Sequence, residues 1–206
     1  GRTCGCSDWR AVPSLSAVAK RNDPMTRIAS ALFILICSFG FVVSAHAEET
    51  RTFTNRFGSV EVPVHPRCVV SLHDFSLTTQ LLELGVVPCG SSGRKRLLAD
   101  TIYRGASQRY DTSEIQYIGT HQAPDIETIA ALKPDLIVGL SYHAALRDKL
   151  LAIAPVVLLP LREEGILTYS EQLADLVGKG HRYDELYREY QDIVSEFGRR
   201  VENRAL

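Results

Sequence analysis

The sequence predicts a Rossmann-like α/β lobe, a parallel sheet flanked by helices, followed by a long helix. Three observations carry this reading. Short apolar runs at 68–72, 86–90, 115–118, 135–140 and 156–159 alternate with stretches of helical spacing, the signature of a doubly wound sheet. Two alternating segments, 52–54 and 59–62, flank 55–58 and predict an opening hairpin. From His181 onward there is no proline and Gly198 is the only glycine. Over that stretch Tyr183, Leu186, Tyr190, Ile193, Phe197 and Val201 keep a three-four spacing, enough for about 30 Å of helix.

Each element has a local reason. Asp74 can cap a helix whose Leu77, Leu81 and Leu84 share one face, and Gly85 can end it. Strand, helix and strand over 68–90 form a right-handed βαβ unit. A helix over 124–132 carries Pro124 in its first turn, and further helices are predicted over 144–153 and 169–177, the last closed by Gly178. Cys68 opens its strand and Cys89 lies near the end of the next. That offset, on the order of 10 Å, predicts two free buried thiols.

The 206 residues do not all read as folded domain. Met25 is followed by Thr26 and Arg27, an apolar run over 28–43 and then Ser44-Ala45-His46-Ala47, the three parts of a secretory signal. The expectation is a leader over 25–47 cut after Ala47, with 1–24 as an upstream extension. Ile36 before Cys37 argues against a lipoprotein site. The whole chain has a formal net charge of −1, while residues 48–206 carry 18 basic and 22 acidic side chains. Neither balance gives the basic footprint that nucleic acid requires.

In an open α/β sheet, ligands bind beyond the carboxyl ends of the strands. The loops predicted there contain His73 with Asp74; Ser92 with Arg94, Lys95 and Arg96; His121; and Tyr142 with His143. This collection suits an anionic or metal-chelate ligand, because Arg forks carboxylates while Tyr and His contact or ligate ferric complexes. Gly90-Ser91-Ser92-Gly93 lacks the spacing of a dinucleotide loop, and no nucleophile elbow or His-Glu-x-x-His appears. No resident metal or cofactor is expected.

Three stretches resemble the periplasmic binding proteins of ABC importers for ferric siderophores, haem and cobalamin. They are 67–72 with 84–90, then 118–137 (Ile118-Gly119-Thr120-His121 through Pro124-Asp125-Ile126-Glu127 to Pro134-Asp135-Leu136-Ile137), and 153–156. The resemblance implies a ligand-binding lobe over 48–165, a helical segment over 166–206 that includes the long inter-lobe helix, and a second lobe absent from this chain. It implies a monomer that binds an Fe(III)-siderophore complex, of citrate or hydroxamate type, and delivers it to an inner-membrane permease. Glu127 becomes the docking acid. His73, Ser92, Arg94, His121, Tyr142 and His143 become ligand-binding residues, with His121 standing where these receptors often place Arg. Other readings stay open: a small exported α/β enzyme, or a non-functional remnant of a binding protein.

Overall fold

The computed structural model describes residues 49–93 and 109–202. The expected extension and leader, and Arg94 with its basic neighbours, lie outside the described residues. A hairpin opens the fold, β1 (Thr50–Asn55) against β2 (Gly58–Pro63), antiparallel as predicted. Five parallel strands then form one sheet: β3 (Val69–Ser71), β4 (Gly90–Ser91), β5 (Gln116–Tyr117), β6 (Leu136–Leu140) and β7 (Val156–Leu159). Their order is β5-β4-β3-β6-β7, with β3 at the centre.

The helices sit on both faces. A π-helical stretch (Asp74–Thr78) runs into α1 (Thr79–Glu83), and α2 spans Ile126–Leu132. A 3-10 stretch (Ser141–Leu146) leads into α3 (Arg147–Leu151). Then come α4 (Leu161–Leu176) and α5 (Gly180–Glu202). Side chains alternate along each strand, so the core divides in two. Val69, Leu136, Val138, Val157 and Leu159 pack with Leu77, Leu81, Tyr169, Leu173 and the hairpin residues Phe53 and Val62. Val70, Leu72, Ile137, Val156 and Leu158 face the other way, onto Ile129 and Leu150.

Several local expectations are corrected. His73, not Asp74, caps the first helical stretch, its Nδ1 accepting the Ser76 N–H at 3.0 Å. The second strand begins at Gly90, later than the apolar run 86–90 suggests. Residues 86–89 instead lie outside any strand, and Cys89 donates its N–H to the Val69 carbonyl. That brings Cys89 beside the start of β3, with Cα atoms of Cys68 and Cys89 5.2 Å apart, and the two form a disulfide. The 10 Å offset behind the free-thiol expectation vanishes with the register: Val70 pairs with Gly90, two residues beyond Cys68 and one beyond Cys89. The helix expected from Tyr169 begins earlier, at Leu161, with a break at Gly165, where φ is 84°.

α5 matches its predicted amphipathic spacing. Its first turns pack on the lobe through Tyr183 and Leu186. Tyr183, Tyr187 and Tyr190 stack along one side, with centroids 5.9 Å and then 6.2 Å apart. Ile193, Val194, Phe197 and Val201 further along are exposed.

Candidate ligand rim at the carboxyl ends of the strands

The rim is built on a buried hydroxyl relay. Ser71 ends β3 and Ser91 ends β4, and Thr78 lies between them. Thr78 donates to Ser71 Oγ at 2.9 Å, which leaves Ser91 to donate to Thr78 across 2.6 Å. Ser71 Oγ in turn donates to the His73 carbonyl at 3.0 Å. All three hydroxyls are buried and satisfied, so the relay fixes the backbone of the loop that carries His73.

The His73 ring projects from that loop with its proton assigned by geometry. Nδ1 lies 3.8 Å from Asp74 Oδ1 but accepts from Ser76, so the proton sits on Nε2. Asp74 is buried, accepts the Phe75 N–H at 2.7 Å, and packs on Gly93 so closely that a Cβ there would lie 2.4 Å from its carboxyl carbon. This contact explains a glycine after Ser92. The Gly93 N–H then donates to the Gly119 carbonyl at 2.9 Å, tying the exit of β4 to the loop after β5.

That second loop carries His121. Gly119 adopts φ 88°, and a side chain would meet the Ala123 carbonyl at 2.7 Å. Asp125 closes the loop, donating its N–H to Ile118 and capping α2 through Oδ1 at 3.1 Å from the Glu127 and Thr128 amides. Hydrogen bonds from Thr128 hold the Asp125 carboxyl below its ordinary range. Glu127 stands exposed in the first turn of α2.

His143 locks the third loop to the second. Its Nδ1 accepts the Leu140 N–H at 2.9 Å, so Nε2 carries the proton and donates to the His121 carbonyl at 3.1 Å. The ring fits because Gly139 has no side chain: a Cβ there would be 3.3 Å from Nδ1 and 3.0 Å from Leu158 Cδ2. Burial, countered in part by the bond to His121, pushes His143 down to about 4. Both nitrogens are spent, so His143 positions its neighbour rather than meeting a ligand, contrary to the sequence expectation.

The remaining predicted residues separate cleanly. His73 and His121 have ring centroids 5.2 Å apart, and Tyr142 stands edge-on to His73 at 6.2 Å. These three form one continuous surface. Tyr142 is 44% exposed, and burial of the rest of the ring raises its pKa, so the phenol stays protonated. Ser92 is drawn inside: it is fully buried, and its Oγ has no hydrogen-bond partner.

Sequence reasoning missed Arg162. It lies on the first turn of α4, and its guanidinium sits 5.8 Å from the centre of the Tyr142 ring. The signal was available, since Arg162 follows β7 by three residues and so belongs to the same edge by the strand-end rule.

The comparisons agree with this architecture. A family model described as periplasmic binding protein matches residues 92–204. The Fe(3+) dicitrate-binding periplasmic protein FecB of Escherichia coli (strain K12) is 30% identical over 181 residues, covering 83% of this chain and 54% of that protein. The Fe(3+)-citrate-binding protein YfmC of Bacillus subtilis (strain 168) is 27% identical over 161 residues, covering 74% and 48%. Among solved structures, Staphylococcus aureus SirA complexed with staphyloferrin B superposes with a TM-score of 0.65 at 25% identity, covering 75% of this chain and 51% of that one. The chain thus spans about half the length of the relatives it matches. These relatives are binding proteins, not enzymes. With a parallel five-stranded sheet, helices on both faces and this match, the chain belongs to the periplasmic binding protein family.

Proposed function

We propose that this protein is the solute-binding component of an ABC importer, taking up a ferric siderophore of citrate or hydroxamate type at the His73–His121–Tyr142 rim. The observation that carries the reading is the continuous ring surface at the carboxyl edge, with centroid spacings of 5.2 and 6.2 Å. Its outward groups are a protonated phenol and imidazoles, which suit the oxygen-rich periphery of an iron chelate. The ferric-citrate cargo in the names of two relatives and the staphyloferrin B bound to a third support the ligand class. Iron is the cargo here, carried inside its chelate.

Delivery to the permease would use Glu127, exposed on α2. A periplasmic location is supported by the relatives' names and by the Cys68–Cys89 disulfide, a bond that persists in oxidising compartments. The test is calorimetric titration of the protein with ferric citrate and with a ferric trihydroxamate. Saturable binding of either, weakened by His73→Ala or Tyr142→Ala, is the expected result. Absence of binding to both would overturn the reading.

A further inference from the structure

We propose that the Cys68–Cys89 disulfide is a redox-controlled positioning element for the rim: closed, it holds the His73 and His121 loops at the spacing that binds the chelate, and reduction by thiols lowers the affinity of the still-folded protein. This rests on the ferric-siderophore reading of the rim. β4 has two residues and pairs with β3 at two positions, Val70 with Gly90 and Ser71 with Ser91. Both loops nevertheless hang on it. The Ser91 hydroxyl feeds the relay through Thr78 and Ser71 that fixes the His73 loop. The Ser91 carbonyl accepts the Ile118 N–H at 3.2 Å, and the Gly93 N–H reaches Gly119, two residues before His121. A shift of β4 therefore moves His73 and His121 relative to each other.

The disulfide fixes the entry of that strand. Cys89 donates its N–H to Val69 at 3.0 Å and accepts the Gln116 N–H at 3.1 Å, so it ties the chain before β4 to both neighbouring strands. Ser91 follows two residues later, about 7 Å along the chain. The bond is also within reach of solvent. Both cysteines are half-buried, and Cys68 lines a cleft of about 530 Å³ with Lys133, Asp135 and Pro155, at the sheet edge opposite the rim. The reduced state has its partners in place: Cys68 Sγ lies 3.7 Å from the Leu132 carbonyl oxygen, and Cys89 Sγ lies 3.5 Å from that of Val69. Reduction takes a dithiol. Its first thiolate attacks Cys68 Sγ, the S–S bond breaks, and Cys89 leaves as a thiolate that takes up a proton. Its second thiolate attacks the reductant's own sulfur in the mixed disulfide, releasing Cys68 as a thiol and oxidising the dithiol by two electrons.

The experiment uses gallium(III) citrate and gallium(III) desferrioxamine, a trihydroxamate chelate, because thiols reduce ferric iron but not gallium. Calorimetric titration of the oxidised chain is expected to show saturable binding of at least one. After dithiothreitol treatment, with Cys68 and Cys89 shown open by alkylation and mass mapping of a parallel sample, that affinity should fall about fivefold or more. Reoxidation should restore it. The double variant Cys68→Ala, Cys89→Ala should bind like the reduced protein and ignore dithiothreitol. Leu173→Ala, a core truncation away from β4, should keep its affinity within about twofold, which separates positioning from general loss of stability. Unchanged affinity with both thiols open, a bond that dithiothreitol leaves closed in the folded chain, or loss of far-ultraviolet circular dichroism on reduction would each overturn the proposal while leaving the rim as the binding site. An equal loss in Leu173→Ala would do the same. Binding of neither gallium chelate by the oxidised chain would overturn the underlying reading instead.

Discussion

Replacing His143 by glutamine removes a buried imidazole whose protonation the fold disfavours. In the folded chain this group titrates at about 4, against an ordinary value of 6.5, because burial penalises the imidazolium by more than the bond to the His121 carbonyl supports it. The unfolded chain protonates first on acidification, so it gains free energy that the folded chain does not. His143 therefore leaves stability intact above its unfolded value and erodes it as pH falls toward the folded one. The full loss is about 3 kcal/mol, of which ~2 kcal/mol is reached by about pH 5. Urea denaturation followed by circular dichroism at about pH 7.5 and about pH 5 measures it. His143→Gln keeps one acceptor and one donor but cannot titrate, so its stability should fall by ~2 kcal/mol less than that of the wild type across the interval. Nitrogen-15 spectra of the wild-type imidazoles supply an independent reading, with one histidine fixed as the Nε2–H tautomer throughout. Parallel pH slopes for the two proteins, or a His143 that titrates near 6.5, would refute the clasp.

Three further outcomes follow from the packing. Reducing the Cys68–Cys89 bond, or replacing both residues by alanine, releases a loop of 21 residues' separation and should cost about 3 kcal/mol, read as a lowered urea midpoint. Leu173→Ala truncates a side chain with no exposure between α4 and the sheet, and should cost ~2–5 kcal/mol in the same assay. Glu127→Ala should leave chelate affinity within about twofold, since Glu127 is exposed and outside the ring surface, while uptake of labelled iron by cells falls. Unchanged uptake would remove Glu127 from docking.

The sheet was legible in the sequence because its strands are short, apolar and bounded by turn residues. β7 falls at its predicted residues, and β6 and the hairpin differ by one or two. The rim was legible as a set of loops, since strand ends determine which loops share an edge. Three finer features were not. The disulfide depended on a four-residue shift in the start of β4, and a shift of that size changes a Cα separation by more than the whole reach of the bond. The division between His121, which faces outward, and His143, which turns inward, depends on a space left by Gly139 that no periodicity reveals. Arg162 was hidden because the start of α4 was placed eight residues late, which left the segment after β7 without a role.

The uneven cover along α5 has a consequence for how the helix melts. Near Tyr183 and Leu186 the helix is held by the lobe, and its amides can open only when that packing is broken. From Ile193 to Val201 the apolar side chains face solvent, and the stabilising pairs are local: Glu196 with Arg199 at 2.7 Å and with Arg200 at 2.7 Å. Pairs of that kind are worth roughly 0.2–0.5 kcal/mol each, too little to hold a few isolated turns in water. Deuterium uptake along this single helix should therefore rise in steps, slowest before Tyr187 and fastest beyond Ile193. Any surface that covers Ile193, Phe197 and Val201 would flatten that gradient, so the same measurement reports the arrival of a partner on the stripe.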